Sequence, residues 1–359
     1  MTPARTTFLL SILFLLASIA CFGDDGPPAA TVATATTPPA TQRPPVVTRE
    51  PTSAPPTAAT ATPRAQLSTP APTTTRTADP TRRPDPGETP SPVPSPTPIP
   101  DLSFRFGDDV SVFERTLIIT AIEVTRDLLA SDAGVSPPVT VFAHKGLEGL
   151  LRDYTQYARA QEWRAQGLVE RLTNVVAEAS YRGVLINTGH RAWAVLTDAD
   201  LMRAVAHEYV HVVQLENAGP QIADQTLRSN VDAVPPAGPL WLLEGSAEVV
   251  SYLVADRLDI QDYPGTLVDL GIEARDNPVP LAKLETYLGY YAGGDDGIAR
   301  AVLASDYLLR NRDLSQLFAY WDDIRRGSRW QDAFVRRFGT TVENFYMNFD
   351  AFYQATYGG

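Results

Sequence analysis

The segment His207-Glu208-Tyr209-Val210-His211 places two imidazoles four residues apart. On a helix that spacing puts both rings on one face, one turn apart. Two ring nitrogens so placed can grip one Zn²⁺ at about 2.0–2.1 Å. Glu208 adjoins the first imidazole and projects toward the water at such a metal, the position of a general base. The chain has only four histidines, so the pair is informative. A catalytic zinc takes a third protein ligand and keeps a fourth position open. The segment Trp241-Leu242-Leu243-Glu244-Gly245-Ser246-Ala247-Glu248 offers that ligand. Glu244 interrupts an apolar turn and a half of helix, where an acid is costly unless paired or metal-bound. Glu248, one turn on, is placed to accept a hydrogen bond from the outer nitrogen of a zinc histidine. The plainer alternatives are two incidental core histidines, a first-turn acid favoured by the helix dipole at Glu244, and a solvated acid at Glu248.

Two helices must hold these groups. Thr197, with Asp200 three residues later, resembles a capping box and predicts a helix running through His211 to about Asn217. Gly219 and Pro220 supply its stop. A second helix is expected from about Pro239 through Glu244 to about Leu258. The insert between them, Gly219 to Gly238, is expected to be a loop beside the cleft. Upstream, Val110 to Leu129 and Gly146 to Ala160 read as helices, and Pro138 to Ala143 and Gly183 to Thr188 as strands. Downstream, helices are expected at Ile298 to Asn311, Leu314 to Arg325, Trp330 to Phe338 and Val342 to Tyr353. Gly293 to Gly297 reads as a solvated turn, with calcium binding as the sharper alternative. His144 reads as structural or exposed. The fold class is therefore α+β and mostly helical.

HExxH followed by a helix carrying Glu-x-x-x-acid resembles the gluzincins, the thermolysin-like zinc peptidases. The WLLEGSAE string is similar to the peptidase MA-like branch, with its W-x-x-E-G-x-A-E pattern, and the resemblance spans about residues 105–355. It implies a thermolysin-like zincin core with a small N-terminal sheet and an all-helical C-terminal subdomain. Residue by residue, it implies His207, His211 and Glu244 as ligands of one Zn²⁺, Glu208 as general base, and Glu248 as the group orienting a ligand histidine. Thermolysin-like enzymes usually have Asp where this chain has Glu248, and the gap between His211 and Glu244 is longer than in thermolysin itself. In related folds the strand comparable to Gly183–Thr188 is a sheet edge that pairs with extended substrate.

The chemistry expected is metal-assisted hydrolysis of an amide bond, with a peptide or protein as substrate. A tetrahedral oxyanion also needs a hydrogen-bond donor. The candidates are His190, Tyr290, Tyr291 and Tyr307. Endopeptidase and aminopeptidase action both stay open. A non-catalytic, zinc-containing binding or adhesion domain is the alternative, although such a scaffold has no need of a base at Glu208. A zinc hydrolase acting on a non-peptide bond is a third reading.

The rest of the chain frames this domain. Prolines are concentrated: 21 of 31 fall between Pro27 and Pro100. That stretch of Pro, Thr, Ala and Ser lacks aromatic residues and cannot bury enough apolar surface to offset chain entropy. Residues 21–100 are expected to be a disordered tether and residues 101–359 the folded domain. Met1 to Ala20 reads as a secretory signal, with Arg5 followed by the apolar run Phe8 to Leu16. Ser18-Ile19-Ala20 then precedes Cys21, the only cysteine. Cys21 is a candidate lipidation site resembling the bacterial lipobox, and plain signal cleavage is the alternative. The expected location is the extracytoplasmic face of a bacterial membrane through that anchor, or secretion. One cysteine excludes an intramolecular disulfide. The formal charge is -12; residues 101–359 carry -13 of it (23 basic and 36 acidic residues) and the first 100 residues +1, which argues against nucleic acid as a partner.

Overall fold

A computed structural model describes residues 102–160, 172–180, 182–275, 278–310 and 312–358. The expected signal, Cys21 and the tether lie outside the described residues. The described part is α+β and mostly helical, with one four-stranded sheet. Among the described residues no helix is long and apolar enough to cross a membrane.

Four strands form the sheet: β1 (Leu102–Phe106), β2 (Val139–His144), β3 (Ala177–Ser180) and β4 (Gly183–Asn187). Their spatial order is β1-β2-β4-β3. β1, β2 and β4 run parallel, and β3 pairs antiparallel with β4. β2 and β4 are rich in β-branched residues and buried along their whole lengths, as strands covered on both faces are. Val139, Val141, Val184 and Ile186 face the main core. There α3 (Asp198–Ala218) packs against β3 and β4, and α1 (Val112–Ala133) packs against α3 and contributes to the same core. Phe142 and Leu185 face the other way, onto Leu150 and Tyr154 of α2 (Leu147–Ala160).

β4 is thus an interior strand, not the expected edge. The edge position beside it belongs to β3, whose Ala177-Glu178-Ala179-Ser180 carries no β-branched or aromatic residue to announce a strand. Ala177 and Ala179 nevertheless point into the main core, and α3 packs against β3. The small side chains let the helix come close to the sheet at that edge.

The remaining elements are helical. In chain order they are α4 (Pro220–Leu227), α5 (Leu240–Arg257), α6 (Tyr263–Glu273), α7 (Tyr287–Ala292), α8 (Gly294–Leu309), α9 (Leu314–Arg325), α10 (Trp330–Phe338) and α11 (Val342–Tyr357). α4 lies inside the insert that was expected to be a loop. Pro220, expected only to stop α3, also opens α4, because its missing N–H costs nothing in a first turn. The Gly293–Gly297 segment is helix from Gly294 onward rather than a turn. Asp295 and Asp296 lie in the first turn of α8, where the helix dipole favours acids.

Helix α5 lies between α3 and α8. Its first eight residues, Leu240 to Ala247, are all buried. Gly245 permits this: a Cβ there would sit 2.3 Å from the Ala301 carbonyl oxygen of α8. The start of α5 is also anchored at Trp241, which is fully buried and stacks on Phe345 with centroids 5.3 Å apart. Its indole N–H donates to the Tyr346 hydroxyl at 2.8 Å, and that hydroxyl donates to Glu285 at 2.7 Å.

Candidate metal centre

Helix α3 starts where its cap residues dictate. Asp200 N–H donates to Thr197 Oγ1 at 3.2 Å, and the Asp200 carboxylate accepts from the Thr197 hydroxyl at 2.6 Å. The helix ends at Gly219, which adopts φ 85°, a left-handed value that favours glycine. This fixed register carries His207 and His211 on the face that meets α5.

The two imidazoles point Nε2 at one another, 2.8 Å apart. Glu244 Oε2 lies 3.3 Å from His211 Nε2 and 3.4 Å from His207 Nε2. The three atoms therefore form a small triangle whose shortest edge joins the two imidazoles, and all three residues are buried. Ligands held tetrahedrally at 2.0–2.1 Å from one ion lie about 3.3 Å apart. Two edges match that separation, and the third is shorter. The His207–His211–Glu244 group can hold a metal ion.

The imidazoles and carboxylates of the pocket also shift one another's ionisation. Burial alone disfavours a charged imidazole, yet both rings are shifted toward the protonated form, His207 mainly by Glu248 and His211 mainly by Glu244. Burial also opposes ionisation of Glu244, but the neighbouring imidazoles override it and hold the carboxyl well below the usual range. Two protonated Nε2 atoms do not fit at 2.8 Å. At most one proton therefore lies between the two Nε2 atoms. Two imidazole nitrogens and a carboxylate form a donor set suited to zinc.

The outer nitrogens are held differently. His207 Nδ1 lies 3.3 Å from Glu248 Oε1 but is not aligned for a hydrogen bond. Burial raises the Glu248 carboxyl, whereas His207 and Arg203 pull it down to about 2. Arg203, one turn before His207, donates to Glu248 Oε2 at 3.1 Å and lies over the Tyr252 ring, 3.8 Å from its centroid. His211 Nδ1 instead meets Gln214 Oε1 at 2.7 Å. Arg203 and Gln214 were not singled out from sequence. Helical spacing could have found both: Arg203 is four residues before His207, and Gln214 three after His211.

Glu208 is half-buried beside the triangle. Burial pushes its carboxyl up to about 7, with Glu178 of β3 and Glu244 adding to the rise and the two histidines opposing it. Such a carboxyl can both take and return a proton near neutrality.

The four oxyanion candidates are placed differently from one another. Tyr290 is fully buried, near enough to Glu244 and Glu248 to feel their charge, and its hydroxyl has no hydrogen-bond partner among the described residues. Tyr291 packs edge-on against Tyr290. His190 follows β4 and accepts the Ala192 N–H at 3.3 Å through Nδ1, capping the short 3-10 turn Arg191–Ala194. Tyr307 stacks on Phe352 at 4.6 Å, within the aromatic group that includes Phe345 and Phe349. His144 is buried against Asp153 at 3.1 Å. Comparison of the chain with family models, curated proteins and solved structures gave no match.

Proposed function

We propose that this protein is a zinc-dependent metallopeptidase of the thermolysin-like, peptidase MA-like kind, hydrolysing peptide bonds with Glu208 as general base. One observation carries the reading: His207, His211 and Glu244, from two different helices, converge on one point with Glu208 beside it. A zinc ion bound by those three residues supplies a Lewis acid that polarises a carbonyl and lowers the pKa of water. Glu208 takes the proton from the attacking water and delivers it to the leaving amine. Its raised affinity for protons suits both transfers. Arg203 and Glu248 hold the electrostatic environment of His207 from behind. The edge strand β3, packed on α3, supports an extended peptide as substrate, since a free strand edge binds main chain in a sequence-tolerant way.

The sequence adds the setting. We place the enzyme outside the cytoplasm, exported by residues 1–20 and either lipid-anchored through Cys21 or secreted. The proline-rich stretch would then hold the catalytic domain away from the membrane.

The test is metal analysis of the full chain joined to a protease assay with and without chelator. One zinc per chain and chelator-sensitive cleavage are expected. Glu208→Gln should keep the zinc and lose roughly 10²–10⁴-fold in hydrolysis. A metal-free protein, or a fully active Glu208→Gln variant, would overturn the reading.

A further inference from the structure

Gln214 lies in the α3–α5 interface and is 1% exposed. Its amide makes three polar contacts. Oε1 faces His211 Nδ1 at 2.7 Å, and Nε2 donates to the Leu243 carbonyl at 3.0 Å and to Ser246 Oγ at 3.1 Å. The Leu243 carbonyl is an acceptor only, so the NH₂ end of the amide must face it. The Ser246 hydroxyl can spend its own proton on the Leu242 carbonyl, 2.6 Å away, leaving an oxygen lone pair for Gln214. Oε1 is therefore the end that meets His211. It has no proton to give, so the proton between them belongs to His211 Nδ1.

That assignment has a chemical consequence. A neutral imidazole protonated at Nδ1 carries its lone pair on Nε2. His211 Nε2 is the atom that points at His207 and Glu244. The same amide grips Leu243 and Ser246, the residues that bracket Glu244 on α5. One side chain thus selects the ligand form of His211 and sets its distance to the helix bearing the third ligand. An amide does this without adding charge to a pocket that already holds Glu208, Glu244 and Glu248. We propose that Gln214 is a positioning residue for the metal, locking His211 in its Nδ1–H tautomer and registering α3 against the Glu244 turn. This rests on the metallopeptidase reading above.

The experiment measures zinc affinity of the full chain by chelator competition, with the visible spectrum of the Co²⁺-substituted protein as a report on ligand geometry. Gln214→Leu removes the acceptor while keeping the volume. It should bind zinc roughly 10–100-fold more weakly and change the Co²⁺ spectrum. Gln214→Glu restores an acceptor for His211 but cannot donate to Leu243. It should bind zinc more tightly than Gln214→Leu but more weakly than wild type, because the acceptor for His211 is kept and the contacts to α5 are lost. If Gln214→Leu fails to fold, Gln214→Met, which likewise has no amide, takes its place: a loss of zinc affinity of roughly tenfold or more with a changed Co²⁺ spectrum supports the role, and wild-type affinity with an unchanged spectrum refutes it. Zinc affinity in Gln214→Leu equal to wild type, with an unchanged Co²⁺ spectrum, overturns the inference and leaves the metallopeptidase reading intact. A wild-type chain that binds no zinc overturns both.

Discussion

Arg203 reaches from α3 to Glu248 on α5, with its guanidinium carbon over the Tyr252 ring. Both charged groups are largely buried. A buried pair contributes little when intact, but removing one partner leaves an uncompensated charge. Arg203→Met should therefore destabilise the fold by about 3 kcal/mol, read as a lower denaturant midpoint at unchanged slope. Glu248→Ala should weaken zinc binding by roughly 10–100-fold, since the carboxylate facing His207 Nδ1 is lost.

Zinc should stabilise the fold, because the three ligands meet only in the folded chain. At a thousandfold excess over Kd the gain is about 4 kcal/mol. Chelation should lower Tm by roughly 8–16 °C for a folded part of this size. Glu244→Gln should erase most of the difference between melting curves taken with and without chelator.

Gly245 should not tolerate a side chain. A Cβ would meet the Ala301 carbonyl at 2.3 Å and Ser305 Oγ at 2.6 Å. Gly245→Ala should force α5 and α8 apart, at a cost of about 2–3 kcal/mol. Because the displaced helix carries Glu244, zinc affinity should fall with it, and chelator competition on the folded variant checks this.

Asp323 supplies a pH dependence away from the metal. Its carboxylate is buried and accepts from Arg337 Nε at 2.6 Å and from Nη2 at 2.7 Å. Hydrogen bonds from Arg337 hold its pKa below the ordinary value, against the opposing effect of burial. The folded pKa is lower than the unfolded one, so the contribution is complete above the unfolded pKa, about 4, and is lost as pH falls through the folded value. Wild type and Asp323→Asn should differ by a constant amount near neutrality. Acid titration of the denaturant midpoint should bring the two curves together below about pH 4.

The grouping of His207, His211 and Glu244 was readable because its geometry is helical. Thr197 and Asp200 marked the start of α3, and four-residue spacing put His207 and His211 on one face. The bounds expected for α9 and α10 coincide with those observed, since both helices alternate apolar and charged residues at the right period. β1 and β3 were not legible. β3 is a run of small and acidic residues that becomes a strand because β4 lies beside it and α3 beneath it. α6 was hidden by its own Pro264, Gly265 and Gly271, which weaken any helical signal. Gln214 was overlooked although it shares the face of His211, because a glutamine announces no chemistry until its partner on α5 is known.

Glu244 stands 33 residues beyond His211. In an unfolded chain that separation makes the third donor scarce near the histidine pair, and loop closure opposes the meeting. A nascent or threading polypeptide would hold a metal only weakly. High-affinity uptake would come late, once the two helices had docked, so that any chemistry a bound metal supports would begin only in the finished fold.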